Sequence, residues 1–187
     1  MSLNLKIIIG STRPGRVCPT IAAWVAQSAT AHGKFNVEVV DLAEVNLPFL
    51  DEPHHPITQN YQFEHTKKWS SIVADGDAFI FVTPEYDSFP AAVTVNAIQV
   101  LMREWAYKCA GVVSYGGISG GLRSAQALRQ LIANVNVHAI PQTVPLPMVF
   151  PHIIDGELKP TQPMIDGMTL QLDELTKWAT ALKTIRA

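Results

Sequence analysis

The sequence predicts an α/β domain built on a parallel sheet with helices on both faces. Short apolar runs alternate with longer segments whose apolar residues step by three and four, five of each along the chain. The runs are apolar without alternation, as in Ile7-Ile8-Ile9 and Ala78 to Val82, which suits strands covered on both sides. Three unusual loops, 10–18, 84–89 and 114–121, each follow a predicted strand at its carboxyl end. Open parallel sheets bind ligands there, near the point where the strand order reverses.

Leu5 to Ile9 reads as the first strand and stops at Gly10. A helix runs to about Ala31, with Ile21, Val25 and Ser28 on one stripe, Trp24 beside it and Gly33 as its stop. Phe35 to Val40 is the second strand, and Asp41 ends it. Residues 42–60, with Pro48, Pro53 and Pro56, are a long loop. Its His54-His55 pair is read as solvated, because adjacent residues rarely chelate together and no third metal ligand is evident. Phe63, Thr66, Trp69 and Val73 mark a second helix, followed by Gly76. Ala78 to Val82 is the central third strand, between Asp77 and Pro84. Pro90 to Trp105 is read as a third helix with Pro in its first turn. Gly111 to Tyr115 is the fourth strand, and Ala125, Leu128, Ile132 and Val135 mark a fourth helix. His138 to Val149 is extended and rich in Pro, so its fifth strand must be short. Ile165, Met168, Leu172, Leu175, Ala179 and Leu182 lie along a last helix.

The 187 residues suffice for one domain spanning 1–187 with a sizeable core, and 48% hydrophobic against 16% charged composition excludes a disordered chain. A net charge of −2 argues against nucleic acid or an anionic membrane as partner. No apolar run reaches membrane-spanning length, and only three apolar residues separate Lys6 from Gly10, so no secretory signal is expected. Two cysteines, Cys18 and Cys109, cannot make a disulfide framework; a cytoplasmic protein is expected.

The first loop, Gly10-Ser11-Thr12-Arg13-Pro14-Gly15-Arg16, is suited to an anion. Helix-start N–H groups carry partial positive charge, the hydroxyls add donors, and Arg13 and Arg16 add fixed charge that matches a phosphate. It is neither a Gly-x-Gly-x-x-Gly turn nor an NTPase phosphate loop. A solvated turn with two surface arginines is the plain alternative. The second loop, Pro84-Glu85-Tyr86-Asp87, brings a Tyr with a flat face and a polar tip. The third, Ser114-Tyr115-Gly116-Gly117, sets another Tyr beside glycines that let a ligand approach the backbone. Acid–base groups are few here: Glu85, Asp87 and the two tyrosines. No catalytic side chain is assigned, and a bound cofactor is expected to carry the chemistry.

Gly10 to Arg16, Pro84-Glu85-Tyr86, Glu104-Trp105 and Ser114 to Arg123 together closely resemble NAD(P)H-dependent FMN reductases, flavodoxin-like flavoproteins that include quinone and azo-dye reductases. The resemblance covers roughly residues 4–145 and keeps the family's motif order. It implies a flavodoxin-like three-layer sandwich with a five-stranded parallel sheet in the order 2-1-3-4-5, bound FMN, and NAD(P)H as co-substrate. Carried over by position, Ser11, Arg13 and the backbone of Arg16, Val17 and Cys18 would hold the FMN phosphate. Pro84, Glu85, Tyr86 and Asp87 would border the ring on one side, and Ser114, Tyr115, Gly116 and Gly117 on the other. Asp87 stands where many members have Asn, the 86–90 segment is one residue short, and Val95 replaces a usual Lys.

The resemblance implies electron transfer through FMN to a small-molecule acceptor: free flavin, a quinone or an azo compound. The alternatives are an FMN-holding electron carrier or redox sensor with little NAD(P)H turnover, and a protein that keeps the fold without FMN. The segment 91–102 is apolar almost all round, with Thr94, Asn96 and Gln99 as its polar breaks. A helix of that kind is covered on every side. Either the 42–60 loop folds over it or a second subunit does. The resemblance implies a homodimer or a dimer of dimers, with the third helix, about 90–105, at the interface.

Overall fold

A computed structural model of the chain describes residues 2–186; Met1 and Ala187, the two ends of the expected 1–187 domain, lie outside the described residues. Its sheet contains β1 (Leu3–Ile9), β2 (Phe35–Asp41), β3 (Ala78–Pro84), β4 (Lys108–Gly116) and β5 (Val137–Ala139), all parallel, in the order β2-β1-β3-β4-β5. A further strand, β6 (Val144–Pro147), also pairs with β4. The helices are α1 (Cys18–His32), α2 (Leu42–Val45), α3 (Glu64–Asp75), α4 (Ala92–Gln99), α5 (Leu122–Ala133) and α6 (Gln162–Lys183). The order is the flavodoxin-like one, with β1 and β3 adjacent at the reversal point.

Alternation along each strand divides the core in two. Leu5, Ile7, Ile80 and Val82 pack with Ile21 and Val25 of α1 and Leu172 and Leu175 of α6. Ile8, Phe79 and Phe81 face the other way, onto Trp69 of α3, Ile98 of α4 and Leu128 of α5. Because every strand residue in the middle of the sheet finds a helix, both faces of the strand are apolar. Fully burying each such side chain contributes about 1.5–3 kcal/mol.

The third predicted helix is shorter than its apolar run. It ends at Gln99, and a separate one-turn 3-10 helix occupies Arg103–Trp105. Two buried indoles explain the stop. Trp69 Nε1 donates to the Ala97 carbonyl at 2.8 Å, and Trp105 Nε1 donates to Ile98 at 3.2 Å. Both carbonyls lie in the last turn, where a helix is short of internal donors, although Ile98 O also takes the Leu101 N–H at 3.4 Å; the chain doubles back to put Trp105 beneath the helix it has just left. Thr94 and Asn96, the polar breaks, face inward. Thr94 Oγ1 donates to Gly10 O at 3.0 Å, and Asn96 holds the long loop through Pro48 O and the Leu50 N–H. The 42–60 loop therefore covers part of this helix. Ala92, Val95 and Gln99 remain on its outer side, where they line a shallow groove of about 290 Å³ with Phe49 and Phe89.

The fifth strand position is filled by two pieces. β5 pairs with the start of β4 and β6 with its end, separated by a turn at Pro141 to Thr143. Pro141 cannot donate to a ladder. At the break between the two pieces the amide of Gln171, from α6, donates to Val112 O at 3.0 Å and also to Gln142 O. A hairpin of β7 (Ile153–Ile154) and β8 (Glu157–Leu158) then precedes α6. This hairpin lies outside the predicted elements, although Asp155-Gly156, both with positive φ, is a standard two-residue turn signal.

Candidate functional site

The carboxyl ends of β1, β3 and β4 bring the three loops together around a cavity of about 250 Å³. Nine of the residues singled out from the sequence line it: Arg13, Arg16, Val17, Pro84, Glu85, Tyr86, Tyr115, Gly116 and Gly117. Gly15 and Phe150 complete it. Asp87 lies outside, in an adjoining open depression that Arg13, Glu85 and Tyr86 share. Ser11, Cys18 and Ser114 are fully buried beneath the loops.

The anion end is built from backbone and one free charge. α1 begins at Cys18 with no side-chain cap and no acidic residue in its first turn, so its N–H groups offer a positive end. Arg13 is exposed and makes no salt bridge among the described residues. Arg16 departs from the reading that gave it the same role. Its Nη2 meets Asp41 Oδ2 at 2.5 Å and its Nη1 meets Asp41 Oδ1 at 2.9 Å, and it also donates to Ser11 O. Its charge is matched by a half-buried carboxylate from the end of the neighbouring strand, so Arg16 shapes the loop while Arg13 makes no ion pair among the described residues.

Ser11 also differs from expectation. Its hydroxyl is fully buried and lies 3.0 Å from the hydroxyl of Tyr86. The contact lays Tyr86 from the second loop across the first. Cys18 lies deeper still, and its thiol donates to Val82 O at 3.2 Å. Burial pushes that thiol up to about 12, so it stays protonated and unreactive. Burial and the adjacent Cys18 push the Tyr115 phenol well above the usual tyrosine range, which keeps it neutral.

Glu85 binds protein. Its carboxylate accepts from the N–H of Arg123 at 3.0 Å, the N–H of Ser124 at 3.4 Å and the hydroxyl of Ser119 at 3.1 Å, with Arg123 Nε also 3.0 Å away. The N-terminus of α5 has Gly121 in the capping position and no side-chain cap of its own. Glu85 supplies that cap from another loop and locks the second loop to the third. Gly121 is forced by the same closeness: with φ of 81°, a Cβ there would stand 2.7 Å from Tyr115 N. Ser114 Oγ donates to Gly120 O within the third loop, and Ser124 Oγ donates to Pro84 O, a second tie between α5 and the second loop.

Asp87 and Ser88 occupy the two central positions of a tight hairpin in which Tyr86 and Phe89 exchange backbone hydrogen bonds at 2.9 Å. Both have positive φ, 51° and 67°. A turn of this kind prefers Asn-Gly, so the Asp-Ser pair is strained, and the segment being one residue short is accommodated by the tightest available turn.

Phe150 was not foreseen. It sits in a one-turn 3-10 helix, Phe150–His152, directly after β6. Its place at the cavity depends on β6 pairing with β4, a long-range event that carries no local sequence signal.

The sequence profile of the family described as NADPH-dependent FMN reductase matches residues 3–150. An NAD(P)H-dependent FMN reductase of Schizosaccharomyces pombe is 37% identical over 176 residues, covering 93% of this chain and 86% of its own. An NADPH azoreductase of a Bacillus species is 26% identical over 173 residues, covering 91% and 90% of the two chains. Among solved structures, the flavoenzyme NAD(P)H:(acceptor) oxidoreductase FerB of Paracoccus denitrificans superposes with a TM-score of 0.76 at 16% identity, covering 96% of this chain and 98% of its own, a likeness of fold.

Proposed function

The chain belongs to the NADPH-dependent FMN reductase family, and from that premise we propose that the three-loop cavity holds FMN and serves an oxidoreductase that moves electrons from NAD(P)H to a small-molecule acceptor. The observation that carries this reading is the convergence of an uncapped helix start, a free arginine and two aromatic loops on one cavity. The residues present fit the cofactor. Gly15 and Gly117 both line the cavity, and a Cβ on either would meet no protein atom within 4 Å, so the backbone there faces open space that a ligand can fill. Bound FMN would supply the two-electron chemistry, taking electrons from NAD(P)H and giving them to the acceptor.

The chain's own work is binding and orientation. Arg13 and the first turn of α1 would hold the phosphate. Pro84 to Tyr86 and Tyr115 to Gly117 would border the ring system, with Glu85 keeping the two borders at a fixed separation. The neutral Tyr115 and protonated Cys18 place no negative charge beneath the cavity. Asp87, outside the cavity, makes no salt bridge among the described residues and shares its depression with Arg13. The acceptor in this reading is a quinone, an azo compound or free flavin, and the name of the Bacillus relative supports the azo class.

The reading includes a cytoplasmic homodimer, or a dimer of dimers, formed across the outer side of α4. Phe49 and Phe89, 79% and 54% exposed, flank Val95 there and would be covered by the same helix of a second subunit. Two buried free thiols support the cytoplasmic assignment. No helix among the described residues is long and apolar enough to cross a membrane.

The test is titration of the purified protein with FMN, followed by NADPH oxidation with a quinone as acceptor. A yellow complex that melts higher and turns over supports the proposal. At 100 times Kd the cofactor should stabilise by about 2.7 kcal/mol. No absorbance change and no shift in Tm at saturating FMN would sink it, and a tight complex without NADPH oxidation would leave the electron-carrier reading in its place.

A further inference from the structure

We propose that Phe150 is a specificity-determining residue of this cavity: the side of the mouth against which an uncharged, planar electron acceptor rests. The proposal rests on the FMN reading above and adds to it a residue outside the three loops.

Three aromatic side chains line the cavity, and they differ in how they are held. Tyr115 is buried, and Tyr86 is half-buried with its hydroxyl on Ser11. Tyr115 is thus enclosed by protein and Tyr86 is held by a hydrogen bond before any ligand arrives. Phe150 is 62% exposed, although it lines the same cavity.

The exposure does not come from a loose backbone. β6 pairs with the end of β4 through Gly116 and Pro147, and the N–H of Met148 lies 3.1 Å from the carbonyls of both Gly116 and Gly117. Val149 is fully buried in the core, and the N–H of His152 closes the turn on its carbonyl at 3.0 Å. Met148 is held with φ of 46°, a left-handed conformation that a side chain disfavours and that survives only where surrounding bonds enforce it. The backbone thus sets the ring at the mouth of the cavity and leaves most of its surface in water.

A large apolar surface on a rigid frame beside a binding cavity is suited to contact with a ligand that comes and goes. Phe150 is the one apolar side chain of this size that lines the cavity and is also mostly exposed among the described residues. The adjoining depression, by contrast, is edged by Arg13, Glu85 and Asp87. The mouth therefore has a charged side and an apolar aromatic side. A flat, uncharged ligand such as a neutral naphthoquinone gains contact on the second. A small hydrophilic oxidant such as ferricyanide gains nothing from it.

The experiment uses the FMN-loaded wild type and the variants Phe150→Ala, Phe150→Leu and Phe150→Tyr. FMN affinity is measured by flavin-fluorescence titration. Binding of a non-reducible aromatic analogue to the oxidised holoenzyme is measured by perturbation of the flavin spectrum, and KM is measured for a neutral naphthoquinone and for ferricyanide. The expected result in Phe150→Ala is a rise of about tenfold in the analogue's Kd and in the naphthoquinone KM relative to the ferricyanide KM, with FMN affinity within about twofold of wild type. Phe150→Tyr should recover most of the loss, and Phe150→Leu, which keeps bulk without an aromatic face, should recover less.

Loss of FMN affinity in Phe150→Ala would show that the ring packs on the cofactor and would overturn the proposal. Equal effects on both oxidants, or none, would overturn it as well. So would dissociation of an oligomer by the variant, which would make Phe150 a subunit contact. If Phe150→Ala does not fold, Phe150→Leu against Phe150→Tyr carries the same comparison. Failure of wild type itself to bind FMN is a distinct result and defeats the cofactor reading on which this one rests.

Discussion

Arg13 and Arg16 look alike in the sequence and separate in the structure. Arg16 is bound to Asp41 and to the loop's own backbone, whereas Arg13 makes no salt bridge among the described residues. Arg13→Ala should therefore weaken FMN binding with little change in Tm. A hydrogen bond to a charged group contributes about 1.5–3 kcal/mol, and exposure puts this one near the lower end, roughly tenfold in Kd. Riboflavin, which lacks the phosphate, should bind wild type and variant alike. Equal FMN affinity in the two proteins would place the phosphate elsewhere. The pairing of Arg16 was not legible because its partner lies 25 residues on, at the end of the adjacent strand. Only the parallel register of β1 and β2, which sets Ile9 beside Asp41, brings the two together.

Elements meet at this site through carboxylates that act as clamps. Glu85, on the loop after β3, caps α5, and this joint spans 38 residues of sequence. Glu85→Gln should lower unfolding stability by about 1–2 kcal/mol, as for loss of a helix cap. It should also speed hydrogen exchange at the N–H groups of Arg123 and Ser124. Unchanged exchange at those two amides would mean that α5 does not depend on the cap. Glu104 does the same at the other end of the sheet, where Gln59, Tyr61 and Ser70 donate to it and tie the long loop to α3. Burial alone would raise its pKa, but hydrogen bonds from Gln59, Ser70 and Tyr61 hold it below the usual carboxylate range. A carboxylate with a depressed folded pKa contributes stability that is present above its unfolded value, about 4.3, and is lost as pH falls through the folded value. Glu104→Gln should thus lie below wild type in Tm at pH 7, with the gap closing as the pH falls from neutral through the folded value. A gap that stays constant over that range would show that the charge of Glu104 contributes nothing.

For the whole molecule, the proposed subunit contact makes a definite demand. Of the two outward candidates on the predicted helix, Ile98 is fully buried in the monomer core and Val95 lies in the exposed groove between Phe49 and Phe89. Val95→Glu should leave the fold intact, because the side chain does not enter the core, and should convert a dimer to a monomer in light scattering at micromolar concentration. FMN affinity should fall with it, since α4 starts a few residues after Tyr86. A monomeric wild type, or a Val95→Glu protein that stays dimeric with full FMN affinity, would refute the contact.

The sequence by itself determined the layered fold and the gathering of three loops at one edge of the sheet. Uninterrupted apolar strands can only be covered on both sides, and hydroxyl-, Arg- and Gly-rich loops at successive strand ends fall on one edge of the sheet. Those are local and periodic properties, written in neighbouring residues. The tertiary structure alone decided which charges and hydroxyls remain available. Asp41 takes Arg16, α5 takes Glu85, Tyr86 takes Ser11, and two indoles end α4 before its apolar run does. It also decided that the fifth strand position is filled in two pieces, which carries Phe150 to the cavity. Each of these depends on a buried polar group finding a partner, and the partner is set by strand register and helix placement over tens of residues. A pattern read along the chain shows that such a group must be satisfied, but not by what.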